Sequence, residues 1–214
     1  MNDLQVIHED PHLIVLDKPA GLLCVPGRGE DKQDCLSARA RQRWPDALVV
    51  HRLDMATSGL VLMARNPEVQ RALGDAFANR QVNKRYEAIV DGSMPERDEW
   101  SLIDAPLMAD WPRRPLQKID AAGKPSQTRW RVKRLLPERS ATHVWLEPLT
   151  GRSHQLRVHL LSIGHPILGD ALYGTDAIRE RAPRLLLHAT MLEFVHPADG
   201  RMCRFESTPP FVFG

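Results

Sequence analysis

Short apolar runs broken by polar clusters recur along the chain, and their periods separate strands from helices. Residues 12 to 17, HLIVLD, are mostly apolar with Pro11 and Pro19 on either side, which predicts a buried strand entering the turn Lys18-Pro19-Ala20-Gly21. Val49-Val50 and LVLMA (60 to 64) read as two short strands flanking a polar interruption. Strict alternation marks KRYEAIVDG (84 to 92), with Tyr86, Ala88 and Val90 on one face and Glu87 and Ile89 on the other. QTRWRVKRLL (127 to 136) alternates likewise, so Thr128, Trp130 and Val132 oppose a basic, solvent-facing row of Arg129, Arg131 and Lys133. THVWLEPL (142 to 149), RLLLHATMLEFV (184 to 195) and MCRFES (202 to 207) read as further strands.

Helical spacing appears in three places. Residues 31 to 44 fit a helix ending before Pro45. In 66 to 79 the local signals agree: Asn66 is a good N-cap, Pro67 suits the first turn, and Val69, Leu73, Ala76 and Phe77 line one face. In SHQLRVHLLSIG (153 to 164), Leu156, Leu160 and Ile163 form a stripe and Gly164 suits the C′ position. Hairpin-like strands mixed with a few helices predict an α+β fold with a largely antiparallel sheet. No repeat or linker interrupts the pattern, so one domain over 1 to 214 is expected.

Composition narrows the class. With 43% hydrophobic and 26% charged residues in 214, the chain is ordered and can bury a core. No apolar run approaches the roughly 20 residues of a membrane span. MNDLQVIHED lacks the features of a signal peptide, which predicts a soluble, unexported protein. Cys24, Cys35 and Cys203 are widely spaced and make no C-x-x-C pair, so a reducing cytoplasmic setting is expected, without disulfide framework or zinc knuckle. Net charge is only +2, but it is unevenly spread. Residues 86 to 110 hold seven acids against one base, whereas 113 to 134 hold eight bases against one acid. Such a field can steer a polyanion, and Arg, at 23 against 6 Lys, suits phosphate and base edges. A solvated basic face explains the same numbers.

Two clusters can carry chemistry. In VVHRLDMATSGL (49 to 60), His51, Arg52 and Asp54 lie where a buried sheet turns. A carboxylate near apolar surroundings must neutralise, pair with a cation or accept several hydrogen bonds. Taken alone, the stretch favours Asp54 as a turn-capping residue bonded to the Thr57 or Ser58 amides. In TGRSHQLRVHL (150 to 160), Arg152, His154 and Arg157 stand at the start of a helix, where anions are favoured. Arg157, next to the apolar stripe, would need a carboxylate, and Asp54 is the obvious candidate. An exposed amphipathic helix with snorkelling arginines remains the alternative. His154 and His159 lack the spacing of helical zinc ligands, so no metal is expected. G-x-S-x-G, Walker and G-x-G-x-x-G motifs are absent, which argues against a serine hydrolase and a nucleotide cofactor.

HRLDMATSGLVLMAR resembles the catalytic motif of the RluA family of pseudouridine synthases. Three further stretches agree in order: HEDPHLIVLDKPAGLLCVPG, KRYEAIVDG and TGRSHQLRVHLLSIGHPILGDALYG. The resemblance runs from about residue 7 to about 207. It implies a pseudouridine synthase fold, a mixed sheet with flanking helices and a central active-site cleft. It further implies Asp54 as the catalytic aspartate, Tyr86 as the ring stacking on the flipped base, and Arg157 as the partner of Asp54. Arg52 would fill the gap the uridine leaves. His51, Arg113, Arg114, Lys118, Arg152 and His154 complete the expected RNA contacts. RNA is then the expected partner, with neither DNA nor a membrane, and the enzyme is expected to be a cofactor-free monomer. The family's N-terminal S4-like domain is not expected here. With ADWPRRPLQK and GKPSQT, that resembles members acting on both a large-subunit rRNA stem-loop and the tRNA anticodon stem-loop. The alternatives are a single RNA target or an inactive RNA-binding module on the same fold.

Overall fold

The computed structural model describes residues 4–211. In chain order the strands are β1 Gln5–Glu9, β2 Leu13–Lys18, β3 Leu48–Val49, β4 Ser58–Ala64, β5 Asn83–Asp91 and β6 Ser101–Asp104. They continue with β7 Leu107–Ala109, β8 Gln117–Ile119, β9 Gln127–Leu136, β10 Ala141–Pro148, β11 Leu187–Val195 and β12 Met202–Glu206. The helices are α1 Leu36–Arg43, α2 Pro67–Ala78, α3 Gln155–Ser162 and α4 Asp176–Arg179. Among the described residues no helix is long and apolar enough to cross a membrane. The chain forms two compact units, residues 4–84 with 189–211 and residues 85–188.

In the first unit the strand order is β1-β2-β4-β11, with β3 beside β4 and β12 beside β11. The β1–β2, β2–β4, β3–β4 and β11–β12 pairings are antiparallel. All seven residues of β4 are buried. Its Leu60, Leu62 and Ala64 meet Leu13, Val15, Leu192 and Phe194 in a core closed by Val69 and Leu73 of α2. Helix α2 forms as expected: Asn66 Oδ1 accepts the Val69 N–H at 2.9 Å, and Pro67 occupies the first turn. The helix expected over 31 to 44 is shorter. Cys35 is extended and pairs with Leu23 in an isolated parallel bridge, so α1 starts only at Leu36.

The second unit is built on the antiparallel order β5-β10-β9-β6, with β7 and β8 as a separate hairpin. In β5 the expected one-sided burial is exceeded, because Glu87, Ala88, Ile89 and Val90 are all buried. Glu87 can enter because His143 Nε2 lies 2.7 Å and Lys133 Nζ 2.8 Å from its Oε2. Burial opposes its ionisation, but hydrogen bonds and charge from His143 and Lys133 outweigh that and bring its pKa to about 2. Helix α3 also departs from the sequence pattern: Gln155 through Leu160 are all buried, so the exposed amphipathic alternative does not hold. Its polar residues are satisfied one by one. Gln155 Nε2 donates to Gln127 O and Thr128 Oγ1, and His159 sits 2.9 Å from both Thr128 Oγ1 and Ala105 O.

Candidate active site

The residues singled out above fall in both units: His51, Arg52 and Asp54 in the first, and Tyr86, Arg113, Arg114, Lys118, Arg152, His154 and Arg157 in the second.

Asp54 is half-buried in the turn between β3 and β4. The turn closes on backbone, since the Thr57 N–H donates to the main-chain carbonyl of Asp54 at 3.1 Å. The preceding chain clamps it from outside. Lys18, fully buried, donates its ammonium to Pro19 O, Leu22 O and Met55 O, and the Gly21 amide also donates to Met55 O at 2.8 Å. The Leu53 N–H points at Cys24 Sγ, 3.2 Å away. Residues on both sides of Asp54 are therefore held, and a buried cation ringed by carbonyls stiffens the turn. Lys18 lay inside the stretch DKPAG, but no periodicity could have shown that its charge folds inward.

His51 supports the strand after the turn. Its Nε2 accepts the Leu62 N–H at 3.0 Å, and its ring stacks on Phe77 with centroids 4.5 Å apart. Burial, with the nearby Lys84 ammonium second, lowers its pKa to about 3, so it stays neutral with its proton on Nδ1. An acceptor nitrogen and one ring face are thus committed to the fold. Arg52 next to it is exposed.

Arg157 is 3% exposed and forms a two-pronged pair with Asp170: Nε to Oδ2 at 2.8 Å and Nη2 to Oδ1 at 2.5 Å. Its guanidinium lies 5.0 Å from the Tyr173 ring centroid. Asp170, 1% exposed, also accepts the amides of Leu172 and Tyr173 on Oδ1. The carboxylate that the sequence demands for Arg157 is thus supplied to two of its nitrogens by a residue in GDALYG. His154 caps α3 in a left-handed conformation, φ 54°, and its Nδ1 is 2.7 Å from Tyr173 Oη. Tyr86 is half-buried on β5, opposite Leu146 of β10.

The basic stretch is more neutral in space than in sequence. Arg113 Nε holds Asp110 at 2.7 Å, Lys118 holds Asp120 at 2.9 Å, and Lys133 holds Glu87. Arg129 faces Glu147 at 3.6 Å, while Arg131 lies over Trp145. The Lys133–Glu87 pair joins the basic and acidic stretches across the sheet, where β5 and β9 flank the same strand, β10. Arg114 stacks on the exposed Trp111 at 4.2 Å in the β7–β8 loop, and Arg152 is exposed. Among the described residues no group of three or more His, Cys, Asp or Glu side chains is arranged to hold a metal.

Residues 12–162 match the family model for RNA pseudouridylate synthases. The chain belongs to that family. It is an isomerase acting on RNA. Among curated members it is 46% identical to the dual-specificity RNA pseudouridine synthase RluA of Escherichia coli K12 over 209 residues, 97% of this chain and 94% of that one. The Yersinia pestis enzyme of the same name is 44% identical over 207 residues, 96% of this chain and 99% of that one. The synthase therefore sits in the RluA branch, as its motifs suggest. Among solved structures, human RNA pseudouridylate synthase domain containing 1 matches with TM-score 0.81 and 28% identity, covering 98% of this chain and 85% of that one. The domain-containing 4 protein has the same fold, at TM-score 0.77 and 24% identity, with 97% and 89% covered.

Proposed function

We propose that this synthase converts uridines to pseudouridine in stem-loops of 23S rRNA and in the tRNA anticodon arm, as a cytoplasmic monomer without a cofactor. The dual target rests on likeness to relatives named dual-specificity, which extends over 97% of the chain. The catalytic assignment rests on one observation above all. Asp54 sits in a turn pinned on both sides by Lys18, Gly21 and Cys24, as a carboxylate that must be aimed would require.

The chemistry explains the residue types. The N1–C1′ bond of uridine breaks, the uracil rotates, and C5 joins C1′. C5 loses its proton and N1 gains one, so atoms and electrons balance without redox or metal help. Asp54 either adds to C1′ or takes the C2′ proton. Arg157, oriented by Asp170, serves as the cation that keeps Asp54 ionised. Tyr86 stacks on the extruded base, and Arg52 fills the space it leaves. Extrusion costs a few kcal/mol, least in loops whose bases are already loosely stacked, and Arg113, Arg114, Lys118, Arg152 and His154 offset it through backbone contacts.

Tritium at uracil C5 of transcribed 23S rRNA fragments and tRNA tests this directly. Wild-type enzyme should release tritium from both, and Asp54→Asn should slow release by about 10³-fold while RNA binding persists. Binding without release by the wild type would instead make the chain an inactive RNA-binding module. Release from only one RNA would remove the dual target and leave the aspartate assignment standing.

A further inference from the structure

Tyr173 joins two elements of the second unit, β8 and α3, that the reaction uses for different purposes. Tyr173 Oη accepts the backbone N–H of Gln117 at 2.8 Å, and Gln117 is the first residue of β8. His154 Nδ1 lies 2.7 Å from the same oxygen, at the N-cap of α3. The face of the ring lies 5.0 Å from the guanidinium carbon of Arg157. One hydroxyl can accept from the amide and use its own hydrogen toward the imidazole, so the two bonds do not compete.

The platform beneath Tyr173 is rigid. Asp170 Oδ1 takes the Tyr173 amide at 3.1 Å while its two oxygens hold Arg157, so one carboxylate positions both the ring and the cation. Gly169 has φ +74°, and a Cβ there would lie 1.9 Å from Arg184 O, so the chain can pass that point only as glycine. Gly174 returns its N–H to Asp170 O at 3.0 Å. The hairpin on the other side of the hydroxyl is short, three residues per strand, and its loop carries Arg113 and Arg114. A two-stranded ribbon of that size needs outside support. It packs on α3, and Tyr173 gives β8 a bond outside its own ladder.

We propose that Tyr173 is a positioning residue that couples the basic β7–β8 hairpin to the Arg157 cation, so that RNA seated on the hairpin sets the cation's alignment. The inference rests on the functional reading above, in which Arg157 serves Asp54 and the hairpin contacts RNA. Coupling of this kind discriminates between RNAs: a loop that fails to seat the hairpin also fails to fix Arg157, and loses turnover as well as affinity.

Tyr173→Phe keeps the ring under Arg157 and removes both hydrogen bonds. With a C5-tritiated transcript of the tRNA anticodon stem-loop, it should lower kcat about tenfold, the scale of a lost neutral hydrogen bond, and raise KM as well. In an Arg113→Ala/Arg114→Ala background the same change should alter kcat/KM by less than about twofold, because the hairpin no longer passes its contacts on. Hydrogen exchange adds an activity-free reading on unaltered enzyme: adding the transcript should slow exchange at residues 168–174 as well as in the hairpin. Equal loss from Tyr173→Phe in both backgrounds, an unchanged kcat, or transcript-induced protection confined to the hairpin would overturn the coupling. Absence of tritium release by the wild type would fail the functional reading instead, which keeps the two failures apart.

Discussion

A guanidinium only 3% exposed, as in Arg157, must be met by a carboxylate or destabilise the fold that holds it. Asp170 meets it with two short bonds and is itself 1% exposed. Asp170→Ala should therefore cost about 3–5 kcal/mol in urea unfolding, since it strands a buried cation. The pair Arg157→Met with Asp170→Ala should cost less than Asp170→Ala alone, because no charge is then left behind. A double variant as unstable as the single one would show that Asp170 is not what neutralises Arg157. The need for an acid was legible in LRVHLL, where an arginine interrupts an apolar stripe. That Asp170 supplies one was not, because it is thirteen residues away, past the helix, where no period connects them. Lys18 teaches the same lesson: its charge is solved by carbonyls of a loop that only the fold assembles.

At the scale of elements, what local chemistry specifies was readable and what pairing specifies was not. Helix α2 carries its own cap and its own first-turn proline, and it appears at Pro67–Ala78 as expected. Strand β9 spans Gln127–Leu136 as its alternation predicts, because Thr128 and Trp130 bury while Lys133 stays out. The hairpin β7–β8 and strand β6 left no such mark, being three or four residues long and dependent on neighbours. Gly59 shows how a single position can carry an element. It leads the Asp54 turn into β4 with φ +111°, and a Cβ there would stand 2.3 Å from Ala189 O and 2.5 Å from Ala189 N. Backbone cannot yield as a flexible side chain would, and β4 is buried along its whole length. Gly59→Ala should destabilise by more than about 3 kcal/mol and leave little soluble protein, whereas Gly151→Ala, with nothing within 4 Å of its Cβ, should be near neutral. Equal melting temperatures for the two variants would contradict the close approach of β4 to β11.

For the whole molecule, each unit carries a titratable group, half-buried in the first and buried in the second, whose ionisation state the fold dictates, and both push in one direction. In the first unit His51 is held neutral, with its pKa lowered by burial and by Lys84 to about 3. In the second, Glu87 is held ionised, because His143 and Lys133 outweigh burial and bring its pKa to about 2. An unfolded histidine binds its proton near pH 6.5 and an unfolded glutamate near 4.3, in each case above the folded value. The unfolded chain therefore takes up more protons than the folded one as pH falls, and stability must fall with it. The His51 share is complete above about pH 6.5 and is lost on the way down to pH 3. The Glu87 share is complete above about pH 4.5 and is lost toward pH 2. One excess proton costs about 1.4 kcal/mol per pH unit, and solvent access to these sites reduces that, so urea unfolding should show a loss of about 2 kcal/mol between pH 7 and pH 4.5. His51→Asn, whose side-chain oxygen can still accept from the Leu62 amide but cannot take up a proton, should flatten the curve in that interval and leave the steeper fall below pH 4.5 intact. If the wild-type curve is level from pH 7 to 4.5, or His51→Asn leaves its slope unchanged, the histidine is not the group that makes the fold sensitive to acid in that interval.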